Sequence, residues 1–173
     1  MKKIVIFISI LLMSIQGYSI RNVEKEGVKV GQIAPNIVLK DTSRDEVKLN
    51  SLRENIVLVH FWASWCPSCR KENSKLVQVY KKYRSKTFTQ GEKFEIFAIS
   101  LDKKEKYWKD AIKKDQLFWD YNVCDFKGWY GTYPKRYKIN AIPNNILING
   151  KGIIIARDLN CKELEKKLEC MSK

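Results

Sequence analysis

Two cysteines separated by only two residues stand in the segment Cys66-Pro67-Ser68-Cys69. The apolar run 56–61 comes shortly before them, and a short run of this kind, rich in β-branched residues, is typical of a buried strand. Pro67 fits the first turn of a helix, because its missing N–H would have no partner there. The pattern therefore predicts Cys66 at a helix N-terminus, with Cys69 one turn further in on the same face.

This position has a chemical consequence for Cys66. The field at the start of a helix favours an anion, so it lowers the pKa of a thiol there and supplies thiolate near neutral pH. A thiolate with a second thiol one turn away can attack a disulfide and then resolve the mixed disulfide. We therefore predict thiol–disulfide exchange, with Cys66 as the nucleophile and Cys69 as the resolving thiol. The alternative is a permanent structural disulfide.

Five short segments of the chain carry a resemblance to a known family. They are Gly31-Gln32-Ile33-Ala34-Pro35, Phe61-Trp62-Ala63-Ser64-Trp65-Cys66, Cys69-Arg70-Lys71-Glu72, Ile142-Pro143 and Asn149-Gly150-Lys151-Gly152. Together they resemble the thioredoxin superfamily, and within it the TlpA/ResA-like extracytoplasmic thiol–disulfide oxidoreductases with a redoxin-type domain. The resemblance spans about residue 28 to the C-terminus. It implies a thioredoxin-like α/β fold, a three-layer sandwich with a mixed central sheet flanked by helices and an N-terminal β-hairpin.

The same resemblance implies a substrate-binding surface around the cysteines. Ile142-Pro143 matches the family's cis-proline loop, which faces the cysteines and pairs with the backbone of the substrate. Trp65 and Pro67, which flank the first cysteine, are the other residues expected to contact substrate. Asn144 stands where relatives often carry Thr, so contacts just beyond the proline are expected to differ.

Two further residues are candidate catalytic groups by resemblance. His60, the only histidine, falls where thioredoxins carry a buried acid beneath the cysteines, and a neutral imidazole there could accept the proton of Cys69. The alternative is a hydrogen-bonded histidine inside a strand. Glu72 falls where ResA-like members carry an acid beside the active site, so it could relay protons or repel unsuitable substrates. Its alternative is a glutamate stabilised by the helix field.

Three other cysteines, Cys124, Cys161 and Cys170, leave an odd number outside the CxxC pair. Cys161 and Cys170 flank one predicted helix, and nine residues at 1.5 Å rise separate them by about 13 Å, which is too far for a disulfide. Cys124 is expected to end an edge strand away from Cys161. At least one of the three is therefore free or pairs between chains, and we interpret all three as small apolar side chains.

Periodicity outlines the elements that position these residues. We predict strands or hairpin arms at 37–39, 47–49, 56–61, 94–100, 119–123, 145–148 and 153–156. Helices are predicted from Pro67 to about 85, after residue 102, over 128–138, and after residue 160. Asp102 is the predicted N-cap of the second helix, and Asn160 forms a capping box with Glu163 for the last. The order ββ-βαβαβα-ββα describes one α/β domain.

The chain's 173 residues suit one domain with a sizeable core. Lys2-Lys3 and the apolar run 4–15 predict a signal peptide over residues 1–19, with small residues Gly17 and Ser19 before the cleavage point. An uncleaved anchor is the alternative. Residues 20–30 are predicted as a short lead-in and residues 31–173 as the thioredoxin-like domain. This arrangement predicts a location outside the cytoplasm, in the periplasm or cell envelope, where disulfides persist.

The net charge of +14 raises the question of nucleic-acid or membrane binding. The lysines, however, are interleaved with acids along predicted helices, and no nucleic-acid-binding signature accompanies them. We interpret the charge as a solvated surface and expect no nucleic-acid partner, no metal and no cofactor. The expected partners of this monomer are disulfides of exported proteins and a membrane thiol–disulfide electron donor.

Three functions compete on these residues. The leading one is an extracytoplasmic thiol–disulfide oxidoreductase that reduces or exchanges disulfides of exported proteins, in cytochrome c maturation or cell redox homeostasis. A peroxiredoxin-like peroxidase would need Thr or Ser three residues before its cysteine, where this chain has Ala63. A Sco-type copper-delivery protein would use CxxxC and a late histidine, whereas this chain has CxxC and only the upstream His60.

Overall fold

The computed structural model describes residues 25–173. Seven strands form its sheet: β1 (Val38–Asp41), β2 (Glu46–Lys48), β3 (Ile56–Trp62), β4 (Phe94–Ser100), β5 (Tyr121–Cys124), β6 (Asn144–Ile148) and β7 (Ile154–Arg157). They lie in the order β2-β1-β5-β4-β3-β6-β7. Strands β3, β4 and β5 are parallel, and the remaining pairs are antiparallel. The predicted mixed sheet and N-terminal hairpin are confirmed.

Four helices cover the two faces of the sheet. They are α1 (Pro67–Tyr83), α2 (Glu105–Lys114), α3 (Thr132–Arg136) and α4 (Cys161–Met171). The connections β3-α1-β4 and β4-α2-β5 step in the same direction, so right-handed crossovers place α1 and α2 on one face. α4 shares their core, while the other face is covered by α3 and the N-terminal segments. The predicted three-layer α/β sandwich is confirmed.

Strand β3 forms the centre of both cores, and all seven of its residues are buried. Ile56 and Leu58 point into the core shared with α1, α2 and α4, whereas Val57 and Val59 point into the opposite core. Burial on both faces explains why this strand is a continuous apolar run and does not alternate. The segment that leads to the cysteines therefore starts from a strand that is buried on both faces.

Three predictions that rest on short sequence patterns are confirmed. The stripe Leu76, Tyr80 and Tyr83 of α1 is buried, and the Asn160–Glu163 capping box is formed. The hairpin of β6 and β7 is formed as well, with Asn149 Oδ1 accepting hydrogen bonds inside its turn.

Two helix predictions were wrong. The segment 128–138 is not one helix but a 3-10 turn (Gly128–Tyr130) followed by α3. The break falls at Gly131, where a Cβ atom would lie 2.6 Å from a carboxylate oxygen of Asp125, so the chain packs closer than a side chain allows. Asp102 does not cap α2, which begins after Lys104 without a side-chain cap.

The chain before β1 is joined to the far edge of the sheet. Gly31 N–H donates to Ile154 O at 2.8 Å, and Arg157 donates to the carbonyl oxygen of Val28. The predicted signal peptide, residues 1–19, lies outside the described residues. Residues 25–173 contain no helix that is long and apolar enough to cross a membrane.

Candidate redox site

The two cysteines of the CxxC motif form a disulfide at the start of α1. Cys66 is the N-cap residue and Pro67 occupies the first helical turn, as predicted. The Cys69 N–H donates to Cys66 Sγ at 3.1 Å, and Ser68 Oγ lies 3.3 Å from the same sulfur. When the disulfide is reduced, these donors and the helix field stabilise a thiolate at Cys66.

The redox site is largely enclosed. Cys66 is only 5 % exposed, and Cys69 is fully buried. The cause is the loop opposite the helix, because the Ile142 carbonyl oxygen lies 3.8 Å from Cys66 Sγ. Of the two cysteines, only Cys66 retains any exposure, which is the order that the assignment of nucleophile and resolving thiol requires.

The loop opposite the cysteines contains a cis peptide bond between Ile142 and Pro143. Pro143 is exposed and Ile142 is half-buried. Trp65 and Pro67, on either side of Cys66 in the chain, are also exposed. The four residues expected to bind substrate therefore offer accessible surface, and their binding role stays a prediction.

His60 is fully buried in β3 and contacts α1 one turn beyond Cys69. Its Nε2 lies 2.9 Å from Asn73 Oδ1, so in this arrangement Nε2–H donates and the lone pair is on Nδ1. Burial lowers the pKa of His60 to about 4, and the hydrogen bond to Asn73 and the charge of Glu72 oppose that shift only partly. The imidazole is therefore neutral at neutral pH.

Glu72 lies three residues beyond Cys69 on α1 and contacts the start of α4. Cys161 Sγ–H donates to Glu72 Oε1 at 3.1 Å. Burial, followed by this hydrogen bond and the charge of Glu72, raises the pKa of Cys161 to about 12. Cys161 is therefore a half-buried hydrogen-bond donor beside the candidate acid, which differs from the predicted apolar filler.

Cys124, Cys161 and Cys170 are all unpaired. Cys124 and Cys170 lie in contrasting environments. Cys124 is buried, and burial raises the pKa of its thiol to about 12. It does not end an edge strand, since β5 lies between β1 and β4, and that prediction was wrong. Cys170 is exposed on α4, so the prediction of an apolar filler fails there.

A buried carboxylate, whose role was not predicted from the sequence, fixes the loop before Cys66. Asp102 accepts hydrogen bonds from Ser64 N–H at 2.9 Å, from Ser64 Oγ at 2.5 Å and from Ser100 Oγ at 2.6 Å. Arg70 reaches the same loop by donating to Ser64 O at 3.2 Å, and it is paired with Asp115. An acid directly after a buried strand was the available signal, but it equally fitted a helix cap.

No group of three or more His, Cys, Asp and Glu side chains within residues 25–173 is placed to hold a metal ion. What the site offers is one reactive disulfide beside a cis-proline loop. Such a pair can exchange electrons with a second disulfide through a mixed-disulfide intermediate.

Comparison with known proteins decides the family. A family model described as thioredoxin-like matches residues 54–154, more than half of the chain. The chain belongs to the thioredoxin-like family. It is 31 % identical to thioredoxin-like protein YneN of Bacillus subtilis, over 92 % of this chain and 94 % of that protein. The residues matched by the family model include those of the redox site, namely β3, α1 and the cis-proline loop.

Two similar proteins are thiol-disulfide oxidoreductases. The thiol-disulfide oxidoreductase ResA of Bacillus subtilis is 28 % identical over 86 % of this chain and 79 % of its own length. The structure of a thiol-disulfide oxidoreductase from Bacteroides fragilis superposes with a TM-score of 0.70 at 35 % identity, covering 80 % of this chain and 98 % of that one. The chain is accordingly an enzyme of the thiol–disulfide oxidoreductase class.

Proposed function

We propose that this protein is an extracytoplasmic reductant that uses the Cys66–Cys69 pair on disulfides of exported proteins. The observation that carries the proposal is the position of Cys66 Sγ, which accepts the Cys69 N–H at the helix start and faces the cis-proline loop. The apolar run 4–15 after Lys2-Lys3 supports export. Similarity to the thiol-disulfide oxidoreductase ResA supports the exchange chemistry.

The reaction consists of two sulfur transfers. The Cys66 thiolate attacks one sulfur of the partner's disulfide, a mixed disulfide forms, and the partner's other sulfur leaves as a thiolate. Cys69 then loses its proton and attacks Cys66 Sγ, which releases the second partner thiol and leaves the enzyme disulfide seen in the structure. A membrane dithiol donor returns the enzyme to its reduced form by the reverse exchange.

Trapping the intermediate tests this proposal. A Cys69→Ser variant in a Cys170→Ser background should accumulate a mixed disulfide at Cys66, and mass spectrometry of the adduct names the partner. A Cys66→Ser variant in the same background is the matched control and should trap nothing. Adducts with exported proteins support the proposal. Adducts with proteins of cytochrome c maturation would indicate that role, and adducts with many unrelated exported proteins would indicate general redox homeostasis. Adducts with cytoplasmic proteins only, or none, contradict it.

The two other functions receive no support from the site. Ala63 is buried and offers no hydroxyl in place of the Thr or Ser that a peroxidase needs. The only imidazole is bonded to Asn73 on the interior side of α1, whereas a copper ligand would have to face the sulfurs. Stoichiometric copper binding by the reduced protein, without disulfide reductase activity, would reverse this choice.

A further inference from the structure

The carboxyl ends of β3, β4 and β5 meet at one edge of the sheet, because these strands are parallel, and the redox disulfide lies at that edge. On the α2 side of the disulfide, a groove of about 350 Å³ is lined by Trp65, Tyr107 and Lys114. Both aromatic side chains are 55 % exposed. Large exposed aromatics grouped beside a reactive sulfur are typical of a surface that binds a partner.

Three acidic side chains on α2 and directly after it already have cationic partners. Asp110, which lines the groove, pairs with Lys106 at 2.7 Å, and Glu105 pairs with Lys109 at 3.0 Å. Asp115 is engaged by Arg70, which is the other cation of the groove. These carboxylates are therefore not available to neutralise further positive charge.

Three lysines at the two ends of α2 have no carboxylate partner within 4 Å among residues 25–173: Lys103, Lys104 and Lys114. Lys104 Nζ lies 5.6 Å from the ring centroid of Tyr107. Lys103 Nζ lies 5.5 Å from that of Tyr130, whose side chain is 77 % exposed. The edge beside the disulfide thus combines uncompensated cations with exposed aromatic rings.

We propose that this lysine–aromatic surface, formed by Lys103, Lys104, Tyr107, Lys114 and Trp65, docks an acidic segment that flanks the reacting cysteine of the partner protein. The inference rests on the proposed function and adds a substrate class to it. Positive charge next to a reactive group raises the encounter rate with oppositely charged partners. A protein segment is favoured over an anionic bilayer, because a bilayer covering this edge would also cover the nearly buried Cys66 sulfur.

Peptide disulfides of matched sequence test the proposal. Three peptides carry the same disulfide flanked by three Asp, three Ser or three Lys residues. Stopped-flow fluorescence gives the rate constant for reduction of each by the reduced full-length protein, divided by its rate constant with dithiothreitol to remove intrinsic reactivity. We expect the Asp peptide to exceed the Lys peptide by about 10-fold or more at 20 mM NaCl. Screening should remove most of that preference at about 0.5 M NaCl.

Charge reversal separates this surface from the net charge of the molecule. The triple variant Lys103→Glu, Lys104→Glu, Lys114→Glu should lose the preference for the Asp peptide. The matched control, Lys135→Glu, Lys166→Glu, Lys167→Glu, changes three exposed lysines elsewhere by the same amount and should retain it. Equal losses in both variants would overturn the docking surface in favour of a whole-molecule effect.

The remaining outcomes are also decisive. If the wild-type protein reduces all three peptides at equal normalised rates, the docking proposal fails while the proposed function stands. If it reduces none of them, the proposed function fails. If the Asp peptide has no advantage and the surface triple variant alone loses sedimentation with phosphatidylglycerol vesicles, the surface binds membrane and the docking proposal is wrong.

Discussion

At the scale of single residues, the contrast between the two redox cysteines is set by their positions on α1. Cys66 Sγ receives the Cys69 N–H and retains slight exposure, whereas Cys69 is fully buried. Cys124 and Cys161 have thiol pKa values raised to about 12, so neither reacts readily with alkylating reagents at neutral pH.

We therefore predict that Cys66 is the thiol alkylated in the reduced protein. The test uses a Cys170→Ser variant, because Cys170 is exposed and would react as well. Iodoacetamide labelling followed against pH should report a pKa below the free value of ~8.5, since the helix start favours thiolate. Labelling at Cys69, or a titration at the free value, would contradict the assignment.

The pKa of His60 decides how it can take part in proton transfer. Moving a proton from a thiol of ordinary pKa ~8.5 to an imidazole of pKa about 4 is uphill by roughly 6 kcal/mol. The hydrogen bond to Asn73 occupies Nε2, so only the buried Nδ1 could accept a proton. These observations favour a structural histidine over the general base suggested by the resemblance.

Kinetics of His60→Asn test this choice directly. We expect formation and decay of the mixed disulfide with a model disulfide to keep their wild-type rates in folded protein. A general base would instead cost ~10²-fold in the decay step alone. Stopped-flow traces resolve the two phases, and selective slowing of decay would establish His60 as the base.

Stability should also depend on pH through His60. The folded-state pKa is about 4 and the unfolded value about 6.5, so between those values only the unfolded chain binds the proton. Stability must therefore fall as pH falls through this window, and it should drop by about 2 kcal/mol between pH 7 and pH 5 from this residue. Urea unfolding at both pH values should show a loss that is smaller by that amount in His60→Asn. Equal losses in the two proteins would mean that His60 is protonated when folded.

At the scale of elements, the loop between β3 and α1 is fixed by Asp102 through Ser64. We predict that Asp102→Asn lowers the free energy of unfolding by roughly 2–3 kcal/mol, because an amide nitrogen would oppose buried donors. The matched control, Asp110→Asn, changes an exposed carboxylate on α2 and should cost under about 1 kcal/mol. Urea unfolding measures both, and equal costs would contradict the proposed role of Asp102.

Asp102 also illustrates which elements could be predicted from sequence. The strand 94–100 and the helix from Pro67 follow from local patterns, and both were correct because burial periodicity and capping act within a few residues. The partner of Asp102 lies 38 residues away on another strand's end, so its role depends on tertiary placement. The break at Gly131 was missed for a different reason, because the hydrophobic periodicity of 128–138 does not show the close approach of Gly131 to Asp125.

At the scale of the whole molecule, a net charge of +14 affects stability as well as encounters. Repulsion among like charges opposes the compact state, and salt screens it. We predict that the urea midpoint rises when NaCl is increased from 20 mM to 300 mM. The triple variant Lys135→Glu, Lys166→Glu, Lys167→Glu carries less net charge and should gain less from salt. A midpoint that falls with salt would show that attractive ion pairs dominate.

The recessed position of Cys66 has a consequence for which disulfides can be chosen. Cys66 is only 5 % exposed as a residue, and the Ile142 carbonyl oxygen lies 3.8 Å from its Sγ, so a disulfide inside a rigid globular partner is poorly placed to meet it. If the protein acts as the proposed reductant, the reacting disulfide must lie in a partner segment that opens locally. Disulfides buried in folded partners should then be reduced more slowly than those in unfolded chains. The burial of Cys66 would make the reaction depend on whether the partner is folded.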